Sequence, residues 1–235
     1  MPLYEIFCGF TSSLVITPIM TIIDSSIIKS QINKIDFTKS LGTTTKDFLL
    51  NKKKYTRPLG IMFFVYSSTY TTANLVELYC KKNNIDYKIP TIICTSIVNI
   101  ISISYKDKEY SKIFNTTHNK FPKISYGLFA LRDTLTITSS FVFKNDMVEI
   151  LNKYMPKNTA DFISSITLPI SSQIISTPIH ILSIDIYQRP NISFDERIKN
   201  IICSYKSICK GRILRVIPAF CIGGFINDML RDRNH

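Results

Sequence analysis

Apolar residues gather in six stretches that carry no charge: residues 6–23, 59–76, 89–105, 134–143, 162–184 and 216–227. The fourth extends back to residue 124 if Arg132 and Asp133 are admitted. A helix crossing the hydrocarbon layer needs about 20 mostly apolar residues, fewer where polar ends snorkel. Three or four of the stretches come close to that length, and the fourth and sixth are weaker. Core helices of soluble proteins keep charge on their outward face, and these stretches have none on any face. The pattern predicts an all-α membrane protein with six transmembrane helices.

Composition fits once this segregation is recognised. Hydrophobic residues make up 45% and charged residues 20%, with a mean hydropathy of +0.12. The net charge of +12 is unevenly placed. Residues 24–57 hold eight basic and three acidic side chains, and residues 106–123 and 185–215 are also basic. These three connections carry the whole surplus, and the rest of the chain cancels. Both termini are therefore expected on one face and the basic loops on the other, where Lys52, Lys53 and Lys54 meet anionic lipid headgroups. A nucleic-acid partner is not expected, because the aromatics lie in the apolar stretches and do not interleave with the lysines.

Six cysteines contain no CxxC pair, which argues for reduced thiols with neither a disulfide framework nor a zinc site. The three histidines, His118, His180 and His235, are too scattered to hold a metal. There is no glycine-rich phosphate loop and no Ser-His-Asp order, so neither an enzyme nor a cofactor is expected. Asn115 and Asn191 match the glycosylation triplet by letter only. The first basic residue is Lys29, so neither a secretory signal nor an Arg-rich transit peptide is read at the start. Targeting to mitochondria would need internal signals.

The first and fifth stretches echo each other. "SSLVITPIM" and "SQIISTPIH" place Pro18 and Pro178 in the same apolar setting, each before a basic connection. Proline in a membrane helix frees a carbonyl and kinks the rod. Two such kinks suggest a repeated helix-loop-helix unit, with repeats at about 1–88, 89–157 and 158–235 in a single membrane domain. "FDERIKNIICSYKSICKGRILRVIPAF" and "YGLFALRDTLTITSSFVF" then resemble the mitochondrial carrier family, with "YTRPLGIMFFVYSSTY" a vaguer counterpart. The resemblance implies a carrier-like six-helix bundle, a short helix and a Gly-Arg step before the last long helix, and a mitochondrial membrane. "RPLG", "YKDKEYSKIF" and "LRDTLTI" also resemble uncharacterised fungal mitochondrial membrane proteins.

Departures from that family shape the functional expectation. The positions that carry its gate charges after Pro18 and Pro178 are Met20, Ile23, His180 and Ser183 here, and the third stretch has no proline. Asp24 and Asp185 lie too far along to restore the lock. With only seven glycines, close helix contact is expected from serines such as Ser12, Ser13, Ser164, Ser165, Ser171, Ser172 and Ser176. At the opposite end the resemblance leaves gate remnants at Glu77, Asp228 and Arg231, with Lys81 a residue late.

Arg132, Asp133 and Arg215 are the charges placed deepest, and the resemblance puts them at substrate-contact positions. Guanidinium groups suit a carboxylate or phosphate. The alternative is internal pairing of Arg132 with Asp133, or snorkelling. The third contact position falls on Phe64, which binds nothing charged, and His180 reads as polar filler at a kink. Loss of the gate charges predicts a non-alternating membrane adaptor or structural component. The alternative is a transporter of a small anionic metabolite.

Overall fold

A computed structural model describes residues 2–114 and 121–232, apart from the side chains at 137, 139–142, 145, 220, 221, 224, 225, 228 and 232. His118, His235, Asn115 and the side chains of Cys221 and Asp228 therefore lie outside the described part. The described residues are all helical or in short connections, with no strand. In order they are α1 (Pro2–Asn33), α2 (Phe37–Leu50), α3 (Lys52–Lys82), α4 (Lys88–Phe114), α5 (Lys123–Val142), α6 (Lys144–Leu151), α7 (Lys157–Gln188) and α8 (Phe194–Ile217). A π-helical turn (Pro218–Gly224) then leads into α9 (Phe225–Asp232).

The uncharged stretches lie on the long rods α1, α3, α4, α5, α7 and the α8–α9 rod. Each long rod packs against the next in chain order, and α8 closes back onto α1. Residues from α1, α3, α4, α5 and α7 meet along the middle, where Ile16, Met20, Met62, Tyr110, Phe129 and Ile184 are buried.

Buried polar side chains outnumber buried hydrophobic ones among the described residues. Many hydroxyls satisfy themselves by donating to the carbonyl four residues back, as Ser12 does to Cys8, Ser13 to Gly9 and Thr17 to Ser13. Others tie rods together: Ser125 Oγ donates to the Ser183 carbonyl at 2.8 Å, and Ser183 Oγ returns the bond at 2.9 Å. Apolar side chains instead populate the outside. On α4, Ile89, Ile93, Ile97 and Ile101 form an exposed stripe at four-residue spacing. By length and composition, α1 and α4 are long and apolar enough to cross a membrane, and the apolar window of α4 is only 17% buried.

Of the serines expected to replace glycine, Ser12, Ser13, Ser164, Ser172 and Ser176 are buried, and Ser171 is exposed. Glycine is also used for contact. A Cβ on Gly9 would sit 2.9 Å from the Thr71 backbone nitrogen, so α1 and α3 meet there without a side chain between them.

Both prolines of the echoed motif lie within uninterrupted helices. Pro178 has no N–H for the carbonyl of Ile174, and the Tyr205 hydroxyl on α8 donates to that carbonyl at 3.0 Å. Two expectations are corrected. The segment around Gly211 and Arg212 is no break between two helices, because α8 runs through it with apolar residues continuing on the buried side. Much of what reads as basic loop is also helix: α1 continues to Asn33 and α4 to Phe114, so Asp24, Lys106 and Asp107 are interior side chains.

Candidate functional site

Extension of the rods beyond the uncharged stretches carries ionic side chains into the ring. Asp24 on α1 accepts from Lys106 Nζ of α4 at 2.5 Å, and Arg215 Nη1 of α8 approaches the same oxygen at 3.4 Å. Lys106 also reaches Asp107 at 2.8 Å. Asp107 accepts from Arg132 Nη1 of α5 at 2.6 Å, and Asp133 holds Arg132 through both oxygens at 2.8 and 2.7 Å. Arg132 further contacts His180 Nδ1 of α7 at 2.8 Å, and its guanidinium stacks 5.0 Å from the Phe129 ring centroid. Five long rods thus converge on one buried network. An isolated charge here would cost several kcal/mol, and mutual pairing offsets that cost.

Arg212 differs from the rest. Its side chain is buried, yet Nη2 donates only to neutral acceptors, Gln173 Oε1 at 2.7 Å and Ser176 Oγ at 3.0 Å. Among the described residues no carboxylate lies within ion-pair distance of it, and its Nε has no partner. Asp24 Oδ1 and His180 Nε2 are also without partners. All three residues line one small cavity of about 10 Å³, together with Lys106, Asp107 and Arg215. That volume matches about one water molecule. Three carboxylates there face four permanent cations, so the cluster is short of one negative charge. A carboxylate at Arg212 would balance that charge, and the free Asp24 Oδ1 separately leaves room for a hydrogen-bond donor.

The residues read from the sequence divide as follows. Arg132, Asp133 and Arg215 do come together, but the donors of Arg132 are taken by Asp107, Asp133 and His180. Internal pairing of Arg132 with Asp133, the alternative to a substrate role, is present. His180 touches the ionic network directly. Phe64 is exposed and lies outside it. Asp24, Lys106, Asp107 and Arg212 were not among the candidates. Only Arg212 left a sequence signal, as a second arginine three before Arg215, on the same helical face.

A second ionic cluster ties the other end. Arg231 Nε donates to Glu5 at 2.8 Å and Nη1 to Glu77 at 2.8 Å, and Lys81 pairs with Glu77 at 2.7 Å. Beside it, Asn74 and Asn227 exchange two amide bonds of 2.9 Å. Glu5 and Asp24 share α1, and their separation in sequence corresponds to about 28 Å of helix rise. Asp185 forms a third group near the end of α7, with Arg197 at 2.9 Å and Arg189 close by. No group of three His, Cys, Asp or Glu that could hold a metal occurs among the described residues.

A family model for probable citrulline exporters matches residues 8–235. The chain belongs to that family. This corrects the resemblance to mitochondrial carriers, which rested on spaced prolines and arginines. Here Met20, Ile23 and Ser183 stand where the carriers' gate charges belong. No curated protein and no solved structure matches the chain. The match points to a transport role.

Proposed function

We propose that the chain crosses a membrane with its six long rods and exports a citrulline-like amino acid. The buried, carboxylate-free guanidinium of Arg212 beside the unpartnered Asp24 Oδ1 carries this reading. A zwitterionic amino acid offers an α-carboxylate and an α-ammonium on one carbon, and this pair of residues complements both. The exposed isoleucine stripe of α4 and the polar interior support a lipid surround. Cargo larger than water cannot occupy 10 Å³, so binding must part some ion pairs, and that requirement couples cargo to a change of shape. The proposed location is a mitochondrial membrane, on the likeness of residues 57–60 and 131–137 to fungal mitochondrial proteins. Fractionation of organelles tests it.

The cavity's small size also favours a second reading, a non-alternating adaptor whose network only holds the rods together. Efflux of radiolabelled citrulline from liposomes containing the purified protein separates the two. Transport predicts efflux above protein-free liposomes. It also predicts a roughly ten- to hundred-fold loss in Arg212→Gln, the worth of one charge-assisted pair. Wild-type efflux no faster than the lipid blank would remove the exporter and leave the adaptor.

A further inference from the structure

On the face where α1 and α7 end and α8 begins lies an open cavity of about 550 Å³, within the range of small-molecule sites. Lys34, Lys199 and Arg189 line it together with Asp36 and Glu196, so both charge signs face the opening. Asp36 stays ionised there, because the Thr38 hydroxyl and backbone N–H hold its carboxyl below the ordinary range. Mixed charge suits a zwitterion better than a simple anion.

This cavity sits directly over the buried site. Ile208 lines its floor and Arg212 lines the inner cavity, four residues on along α8, about 6 Å of rise. On α1, Ser30 lines the outer cavity and Ile27 the inner one. Ile208 of the outer cavity and Ile27 of the inner one belong to one apolar cluster with Ile23, Phe37 and Ile181, each almost fully buried. Phe37 opens α2, and the space for its ring exists because position 211 is glycine: a Cβ there would lie 2.7 Å from the Phe37 ring and from Ile27 Cγ1. The Asp36 carboxylate caps the first turn of α2 on Thr38, and neutral bonds hold that turn to the rods. The Phe37 N–H donates to Ser207 Oγ at 2.6 Å, and Ser30 Oγ donates to the Ile35 carbonyl at 2.6 Å. Lys34 just before it has φ of 53°, a left-handed turn that sets the angle at which α2 leaves α1.

We propose that this outer cavity is the vestibule through which the amino acid reaches the buried charged site, and that Phe37 is the plug between them. The proposal rests on the transport reading. Displacing one aromatic ring, with the first turn of α2, joins the two cavities without disturbing the ion pairs below. Closure over an empty site keeps water and ions from leaking through an interior lined with charge.

Cys203 lies exposed on the rim of the vestibule and serves as a probe. Citrulline-loaded liposomes are treated with a permanently cationic methanethiosulfonate, and efflux is normalised to each protein's untreated rate. Modification should slow wild-type efflux at least tenfold and leave Cys203→Ser unaffected. In a Cys203→Ser background, Ile28→Cys, which lines the inner cavity, should react at least tenfold faster when Phe37→Ala is added. Undiminished wild-type efflux with Cys203 fully modified would overturn the vestibule and leave the transport reading standing. Equal reactivity of Ile28→Cys with and without Phe37 would overturn the plug. Absence of wild-type efflux would remove the transport reading, and the vestibule with it.

Discussion

The two ionic clusters on α1 are built from the same side-chain types and differ in completeness. Around Glu5, the Arg231, Glu77 and Lys81 side chains satisfy one another across α1, α3 and α9. Around Asp24, five rods contribute charge, cations exceed carboxylates, and polar atoms of Asp24, His180 and Arg212 lack partners. A closed set of pairs acts as a tie. An open set leaves room for a ligand, which the proposed function takes to be an amino acid with its carboxylate on Arg212. Position reinforces the contrast, because only the open cluster lies under a vestibule.

Variants sharpen this contrast, and the largest effect is expected at Arg132. Its guanidinium is fully buried and joins Asp107, Asp133 and His180, so Arg132→Gln strands Asp133 and leaves Asp107 with Lys106 as its one ion-pair partner among the described residues. Loss of one partner from a buried pair costs about 3–5 kcal/mol. The variant should fail to accumulate in membranes, and a normal level on an immunoblot would refute the structural role of this residue.

Arg231→Gln should have the next largest effect. One guanidinium there serves two carboxylates, and losing charged hydrogen bonds of this kind costs about 1.5–3 kcal/mol each, less where water enters. The melting temperature in detergent should drop, while efflux per folded molecule stays within about twofold of wild type. A tenfold fall in efflux at matched folding would make this cluster part of the cargo path and erase the contrast.

An exposed pairing provides the baseline. Asp47 on α2 accepts from Lys54 at 2.7 Å, Asn51 at 2.8 Å and Tyr55 at 3.0 Å, and these bonds hold its carboxyl well below the usual carboxylate range. A depressed carboxylate stabilises above its unfolded value of about 4 and loses that contribution as pH falls towards the folded value. Asp47→Asn should therefore melt slightly below wild type at pH 7, by up to about 1 kcal/mol, with the gap closing below about pH 4. A gap that widened in acid would contradict the assignment.

Helices were legible because uncharged stretches of this length have few other outcomes. The rods of residues 6–23 and 162–184 lie where they were expected, inside α1 and α7. Their ends were not legible, because charge was taken as the mark of a loop. Lys106 and Asp107 follow an uncharged stretch, and on that criterion they look solvated. The helix continues past them, and partners from α1 and α5 make burial tolerable. Those partners are distant in sequence, so no local pattern reveals them. Arg132 and Arg215 stood out because they border apolar runs. Arg212 escaped because "KGRILR" was taken as a Gly-Arg step between two helices, which placed it outside the rods. The vestibule was equally hidden, since its walls come from three rods and a turn.

The Asp24 pairing also bears on how such a chain is made. Lys106, its nearest partner, lies 82 residues further on, and Arg215 lies 191 residues further on. At about 5–20 residues per second, the first of these is synthesised some 4–16 s after Asp24. On the proposed transmembrane reading, the carboxylate lacks these partners throughout that interval and stays hydrated, in the lipid headgroup region or inside the insertion machinery. The first rod then does not settle at its final depth when it is made. Biogenesis on that reading is a late, collective event, in which α1 sinks into place only as α4, α5 and α8 arrive to receive it.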